Sequence, residues 1–243
     1  APPDSPRRLL FGLVIAVSVG MVVGRILSAA YLIEPWTKEW PTDRPATYPT
    51  LSSNDRSRWA TIRALVDEGT YAVGKRVVDP ETGEYEDSGI RSEDGFMGVD
   101  YVLRPADNLF FSSKPPLLPT LLAGPYWVLQ KATGWTLGEN LNEVVRTLLV
   151  LFAGVPLLFY LVVLSRLLDR YGQTDWGKFY VLSVAGFGTF LTTFCMTLNN
   201  HTFAAFSTLF LLDLLLRVWN DNDRRWWVFV VAGLLAGLAV ACE

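Results

Sequence analysis

Cysteine and histidine are nearly absent: 243 residues hold two cysteines and one histidine. Cys195 and Cys242 both lie in apolar sequence at expected helix ends, so they read as buried small hydrophobes and form neither a disulfide framework nor a metal knuckle. One histidine cannot complete a metal site with them. An excess of positive charge is lacking too. Lys and Arg number 21 against 24 Asp and Glu, a net charge of −3, which argues against nucleic acid as a partner. No glycine-rich phosphate loop, nucleophile elbow or kinase-type lysine motif occurs, so soluble nucleotide chemistry has no support. Internal repeats and low-complexity tracts are also missing.

What the chain has in abundance is apolar sequence, 51% of all residues, distributed very unevenly. Charges crowd between Pro35 and Arg146, and long apolar runs fill the rest. A hydrocarbon layer about 30 Å thick takes roughly 20 apolar residues per helix. Four stretches reach that length: Leu9 to Ile33, Thr147 to Leu168, Phe179 to Cys195 with its flanks, and Phe203 to Val218. A fifth, Trp226 to Cys242, runs to the end of the chain. The first run follows Arg7 and Arg8 but is too long for a signal-peptide core and lacks a clean cleavage site, so it reads as an uncleaved span. There is no initiator Met, and Glu243 directly follows an apolar run; the expectation is the N-terminal portion of a longer protein.

The expected fold is mainly α: a polytopic helical membrane protein with a large external segment after its first span. Residues 1–33 form the cytoplasmic N-terminus and first span, 34–145 the external segment, and 146–243 spans two to five. The apolar stretch 115–133 decides the topology. If it lies along the membrane and does not cross, Arg7, Arg8, Arg166, Arg170, Lys178, Arg217, Arg224 and Arg225 all fall on the cytoplasmic side, as the positive-inside rule requires. Its prolines suit a short interfacial helix. Trp36, Trp40, Trp127, Trp135, Trp176, Trp219, Trp226 and Trp227 fall near expected boundaries, like an aromatic belt. Localisation in a bacterial-type inner membrane or a plasma membrane follows, with membrane lipids as neighbours.

Within the external segment, Ser53 or Asn54 is placed to cap a helix running to Glu68. Trp59, Ile62 and Val66 share one face of it and Gly69 stops it. Tyr71 to Val78 and Phe96 to Leu103 read as two strands of a small β-hairpin, joined by the turn-rich stretch from Asp79 to Gly95.

Four positions are candidates for chemistry. Asp55 falls at a helix N-terminus, where the dipole favours a carboxylate; it can act as a general base or simply cap the helix. Lys114, braced by Pro115 and Pro116, has the point charge that suits a lipid phosphate, or it snorkels. Arg146 sits at the mouth of the second span, where a charge reaches a cavity or the headgroups. His201 lies in the external turn Asn199-Asn200-His201. Arg25 reads as a snorkelling cation, and Asp213 with Arg217 as an i,i+4 pair.

The order of these elements resembles the C-type superfamily of membrane glycosyltransferases, especially protein O-mannosyltransferases and the aminoarabinose transferases of lipid A. The residues that carry the resemblance are Asp55-Arg56-Ser57-Arg58-Trp59, Lys114-Pro115-Pro116-Leu117 and Val145-Arg146-Thr147-Leu148. Residues 50–168 match well; the later helices match only in hydropathy. The resemblance implies that Asp55 deprotonates an acceptor attacking a polyprenyl-phosphate sugar with inversion. Lys114, with Arg58 and Arg146, would bind the phosphate, and His201 would stand where many relatives have an aspartate. It implies no nucleotide or redox cofactor, and leaves open whether a divalent cation assists. Three departures stand out: Arg56 replaces the family's second acidic residue, Ser113 replaces a glutamate before Lys-Pro-Pro, and the chain supplies five spans where the family has eleven or more.

The alternative is a non-catalytic membrane protein whose external segment binds a partner or a wall polymer. A transporter is a weaker third reading, because Gly/Pro-broken helices and midplane charges are scarce.

Overall fold

The computed structural model describes residues 5–32 and 46–242. Trp36, Trp40 and Ile33 lie outside the described residues. The chain is mainly helical with one small antiparallel sheet, and it divides into two compact units. One comprises residues 28–148; the other comprises 1–27 with 149–243.

The polar unit, residues 28–148, is built on α2, Ser53–Arg63. Its N-cap is Ser52, one residue ahead of the expected Ser53 or Asn54, because the Ser52 hydroxyl accepts from the Asp55 backbone N–H. Ser53 is thereby left to bind elsewhere. The helix continues as a wide π turn over Ala64–Glu68 and stops at Gly69, whose φ of +68° is the left-handed conformation glycine adopts without steric cost. Trp59 and Ile62 are fully buried on its inner face; each contributes roughly 2–3 kcal/mol through burial.

The two-strand hairpin expected here is instead a four-stranded sheet: β1 (Ala72–Val78), β2 (Tyr85–Ser88), β3 (Tyr101–Arg104) and β4 (Leu109–Ser112), in the order β2-β1-β4-β3. β1 forms where expected. Residues 96–100 are not a strand, because Phe96 is drawn into the core and the Gly98 backbone passes against Ser53. A second hairpin, turning at 105–108 with Asn108 at positive φ, supplies β1 with its partner β4.

Helix α3, Leu117–Thr133, covers the expected interfacial stretch and packs on α2 through Leu118, Pro119, Leu122 and Tyr126, all buried. The Tyr126 hydroxyl accepts from the Leu137 N–H, which joins α3 to the loop beyond it.

The second unit is helical. Among the described residues, three helices are long and apolar enough to cross a membrane: Pro6–Ser28 within α1 (Ser5–Ser28), Leu141–Tyr171, and α8 (Asn200–Asn220). Leu141–Tyr171 runs as α4 (Leu141–Leu149), a π turn and α5 (Val155–Tyr171). α9, Trp226–Cys242, is a shorter apolar helix that pairs with α8 through Leu214, Val228 and Ala232.

The expected span from Phe179 to Cys195 is not one helix. α6 (Asp175–Phe187) ends at Gly188, and α7 (Phe190–Phe194) is a separate five-residue turn of helix. Gly186 and Gly188 weaken the helix here, and Thr189 turns back to donate its hydroxyl proton to the Ala185 carbonyl. The Ser18 hydroxyl donates to the Gly186 carbonyl at 2.7 Å, tying α1 to α6 at this point. Cys195 and Cys242 are both buried thiols, and Asp213 pairs with Arg217 at 2.5 Å, as their spacing leads one to expect.

One end of this unit gathers its charges. Arg7 lies 3.4 Å from Asp169 and 2.9 Å from Asp175, and Arg170 grips Asp221 through two bonds of 2.7 and 2.5 Å. The start of α1, the α5–α6 turn and the α8–α9 turn therefore meet at the same end.

Candidate functional site

Asp55 sits in the first turn of α2 with 1% of its surface exposed. One carboxylate oxygen accepts from the Leu51 N–H at 3.0 Å and the other from the Trp59 indole N–H at 2.8 Å. These bonds hold the group in one orientation and close the helix start.

The neighbouring arginines turn inward. Arg56 donates its Nε–H to the Met97 carbonyl and a terminal N–H to the Leu51 carbonyl at 3.5 Å. Burial lowers its pKa, opposed by Tyr101, Asp55 and Asp100. Arg58, 7% exposed, donates to the Asn54 carbonyl at 3.1 Å. Both guanidiniums thus brace backbone at the start of α2, and the residue that departs from the motif, Arg56, stitches α2 to the loop at Met97.

Lys114 is positioned by serines. Its N–H donates to the Ser112 hydroxyl, which donates to Ser57 Oγ at 3.1 Å, and Ser57 in turn donates to the Asn54 carbonyl. This relay fixes the end of β4 on α2. Pro115 and Pro116 then restrict the backbone before α3 begins.

The carboxylate that meets Lys114 is Asp100, not Asp55. Lys114 Nζ lies 2.7 Å from Asp100 Oδ1. Ser53 Oγ accepts the N–H groups of Val99 at 2.7 Å and Asp100 at 2.9 Å, which docks the strand entrance on α2. Burial raises the Asp100 pKa, but Lys114, Ser53 and Ser113 together outweigh it and hold the carboxyl below its ordinary value. Sequence reasoning passed over Asp100. The signal was the turn Pro105-Ala106-Asp107-Asn108 between alternating apolar runs: with Tyr101 opposite Ser112, the register brings Asp100 opposite Ser113, one residue from Lys114.

A hollow of about 290 Å³ opens here, lined by Thr61, Tyr71, Phe111, Ser112, Lys114 and Pro116. It combines one ammonium, three hydroxyls and an apolar wall. Tyr71 and Thr120 share a hydrogen bond of 2.9 Å between β1's approach and α3. Asp55 is not part of the lining.

Arg146, in α4, donates to the Ala29 carbonyl at 2.8 Å, just past the end of α1. It therefore closes a helix C-terminus, where a cation also meets the negative end of the dipole. His201 belongs to the other unit: its N–H donates to Asn199 Oδ1, the N-cap of α8, and its ring lies 6.3 Å from that of Phe194. Among the described residues no group of three or more His, Cys, Asp or Glu side chains is placed to hold a metal ion.

Comparison with family models, with curated proteins and with solved structures finds no match to this chain.

Proposed function

We propose that this chain is part of an integral membrane glycosyltransferase that takes a sugar from a polyprenyl-phosphate donor. The observation that carries the reading is Lys114: an ammonium on a proline-braced turn, opening onto a hollow with hydroxyl and apolar walls beside the apolar helix α3. A lipid-linked donor presents its phosphate at the membrane surface, which is where such a lysine at the start of an interfacial helix would lie. An ammonium has three N–H donors, so Lys114 can keep Asp100 and still bind a phosphate oxygen.

In this reading the acceptor hydroxyl or amine gives up its proton as that atom attacks the anomeric carbon. Asp55 is the base the sequence offers, and because it is buried outside the lining of the Lys114 hollow, this step requires the start of α2 to open toward the acceptor. The bond from carbon to the phosphate oxygen breaks, and polyprenyl phosphate leaves with the electron pair. Lys114 stabilises the charge growing on the phosphate, whereas Arg58 and Arg146, expected as further phosphate ligands, bind the Asn54 and Ala29 carbonyls and lie outside the lining of the hollow. The large segment faces the exterior of a bacterial-type inner or plasma membrane, with the N-terminus inside. His201 is assigned no step.

The experiment is sugar transfer in membranes supplied with a polyprenyl-phosphate sugar, comparing the unaltered chain with Lys114→Met and Asp55→Asn. Loss of turnover in both supports the reading; full turnover in Lys114→Met removes its basis.

A second reading is favoured by one observation, the two bonds to Leu51 and Trp59 that give the buried Asp55 a structural role at the start of α2. There the polar segment is a binding module for a partner or wall polymer, and the hollow beside Lys114 takes an anionic group without turning it over.

A further inference from the structure

We infer that the charged end of the helical unit holds a phosphate-bearing anionic headgroup, supplied by a membrane phospholipid. The inference rests on the membrane reading above but not on the transferase activity.

At the ends of α5, α8 and α9 lies a hollow of about 740 Å³ rimmed by Arg166, Arg170, Arg217, Arg224 and Arg225. Three carboxylates line it as well, Asp213, Asp221 and Asp223. Each of the three is committed. Asp221 is held by Arg170 at 2.5 and 2.7 Å, Asp213 by Arg217 at 2.5 Å, and Asp223 by Arg225 at 2.5 and 2.8 Å. Five guanidiniums against three carboxylates leave two positive charges on the rim, on Arg166 and Arg224.

Neither of these has a carboxylate within ion-pair distance among the described residues, and Arg224 spends only its Nε–H, on Asn222 Oδ1 at 2.8 Å. The remaining N–H groups of both are exposed donors whose planar geometry suits two oxygens of one phosphate. Protein carboxylates do not neutralise the site, so an anion from outside does.

The surroundings point to a lipid as the source. Trp219 and Trp226, 88% and 75% exposed, stand at the adjoining ends of α8 and α9, where amphipathic rings seat at the headgroup level. Below them Leu215, Phe229 and Val230 are exposed apolar side chains on the same two helices, a surface for acyl chains. Basic hollows between spanning helices are suited to anionic headgroups on the side where positive charge collects.

Native mass spectrometry of the detergent-solubilised full chain tests this, with phosphatidylglycerol, phosphatidylcholine or inorganic phosphate added. The expected result is retention of phosphatidylglycerol about tenfold or more over phosphatidylcholine. Arg166→Gln with Arg224→Gln abolishes that preference, while Arg104→Gln, on the other unit, preserves it. Both glutamine changes touch exposed side chains with no ion pair to break, so folding is retained, as circular dichroism would show. Equal retention of the two lipids, or an unaltered preference in the double variant, overturns the inference. Displacement of the lipid by millimolar inorganic phosphate also overturns it, because the site then recognises a free anion. Alkaline carbonate extraction separately tests the membrane reading: release of the chain from membranes sinks that reading itself.

Discussion

Lys114 and Asp100 form an ion pair of 2.7 Å, and each is only about one-fifth exposed. The pair joins the last residue before β3 to the second residue after β4. It is therefore a clasp across the open end of that hairpin as well as a candidate binding feature.

A double-mutant cycle separates the two roles. Asp100→Asn and Lys114→Met should be non-additive in thermal stability by about 0.5–1 kcal/mol, as for a partly exposed pair. Asp100→Asn should leave the ammonium in place and retain phosphate affinity; Lys114→Met should lose it. Additive stabilities would remove the clasp, and equal affinities would remove the binding role.

Asp55→Asn sets an NH₂ group against either the Leu51 N–H or the Trp59 indole N–H, at a cost of about 1–3 kcal/mol. The melting temperature falls accordingly. The decisive measurement is turnover per folded molecule: a base at this position loses orders of magnitude, whereas a plain cap loses only the unfolded fraction.

Gly98→Ala should loosen the site without removing any side chain from it. A Cβ at Gly98 would come within 2.4 Å of Ser53 Oγ, the atom that accepts from Val99 and Asp100. A loss of about 1–3 kcal/mol is expected, with weaker phosphate binding, and Ser53→Ala should reproduce much of it. Normal binding with normal stability in Gly98→Ala would show that this docking is not required.

Acid should weaken the sheet. Asp87 is bound by Arg76 through two bonds of 2.7 and 2.9 Å and by Arg91 at 2.5 Å, and its pKa is lowered to about 2. A carboxylate with a depressed folded pKa contributes stability above its unfolded value, near 3.8, and loses it as pH falls through about 2. Stability measured from pH 5 to pH 2 should decline over that window, and Asp87→Asn should flatten the decline. An unchanged profile in the variant would assign the acid sensitivity elsewhere.

Arg146→Ala should destabilise the polar unit by about 1.5–3 kcal/mol, since it strips a charged donor from the Ala29 carbonyl. Arg146→Lys should recover part of this. A loss of phosphate affinity at unchanged stability would instead make Arg146 a ligand-binding group.

What the sequence made legible were features with local causes. The stop of α2 at Gly69 follows from one backbone conformation, and the span of α3 from a run of apolar residues after Pro116. The start of β1 and the Asp213–Arg217 pair have similarly short-range origins. What escaped depends on pairing at a distance. The hairpin of β3 and β4 was hidden because Phe96 and Met97 resemble a strand but are recruited to pack on α2 and accept from Arg56. Asp100 went unnoticed for the same reason, since its partner lies fourteen residues on and is set by register. The break after Phe187 turns on small residues whose effect in an apolar helix depends on what packs beside them.

That break has a consequence for whatever surrounds the chain. An uninterrupted helix conceals its amide groups from acyl chains, but from Gly188 to Asn199 the backbone runs through a five-residue helix and successive turns. Hydrocarbon offers such groups no hydrogen bonds, so oil is the wrong solvent for this stretch. In a bilayer, that side of the molecule must be wetted or walled in by polypeptide.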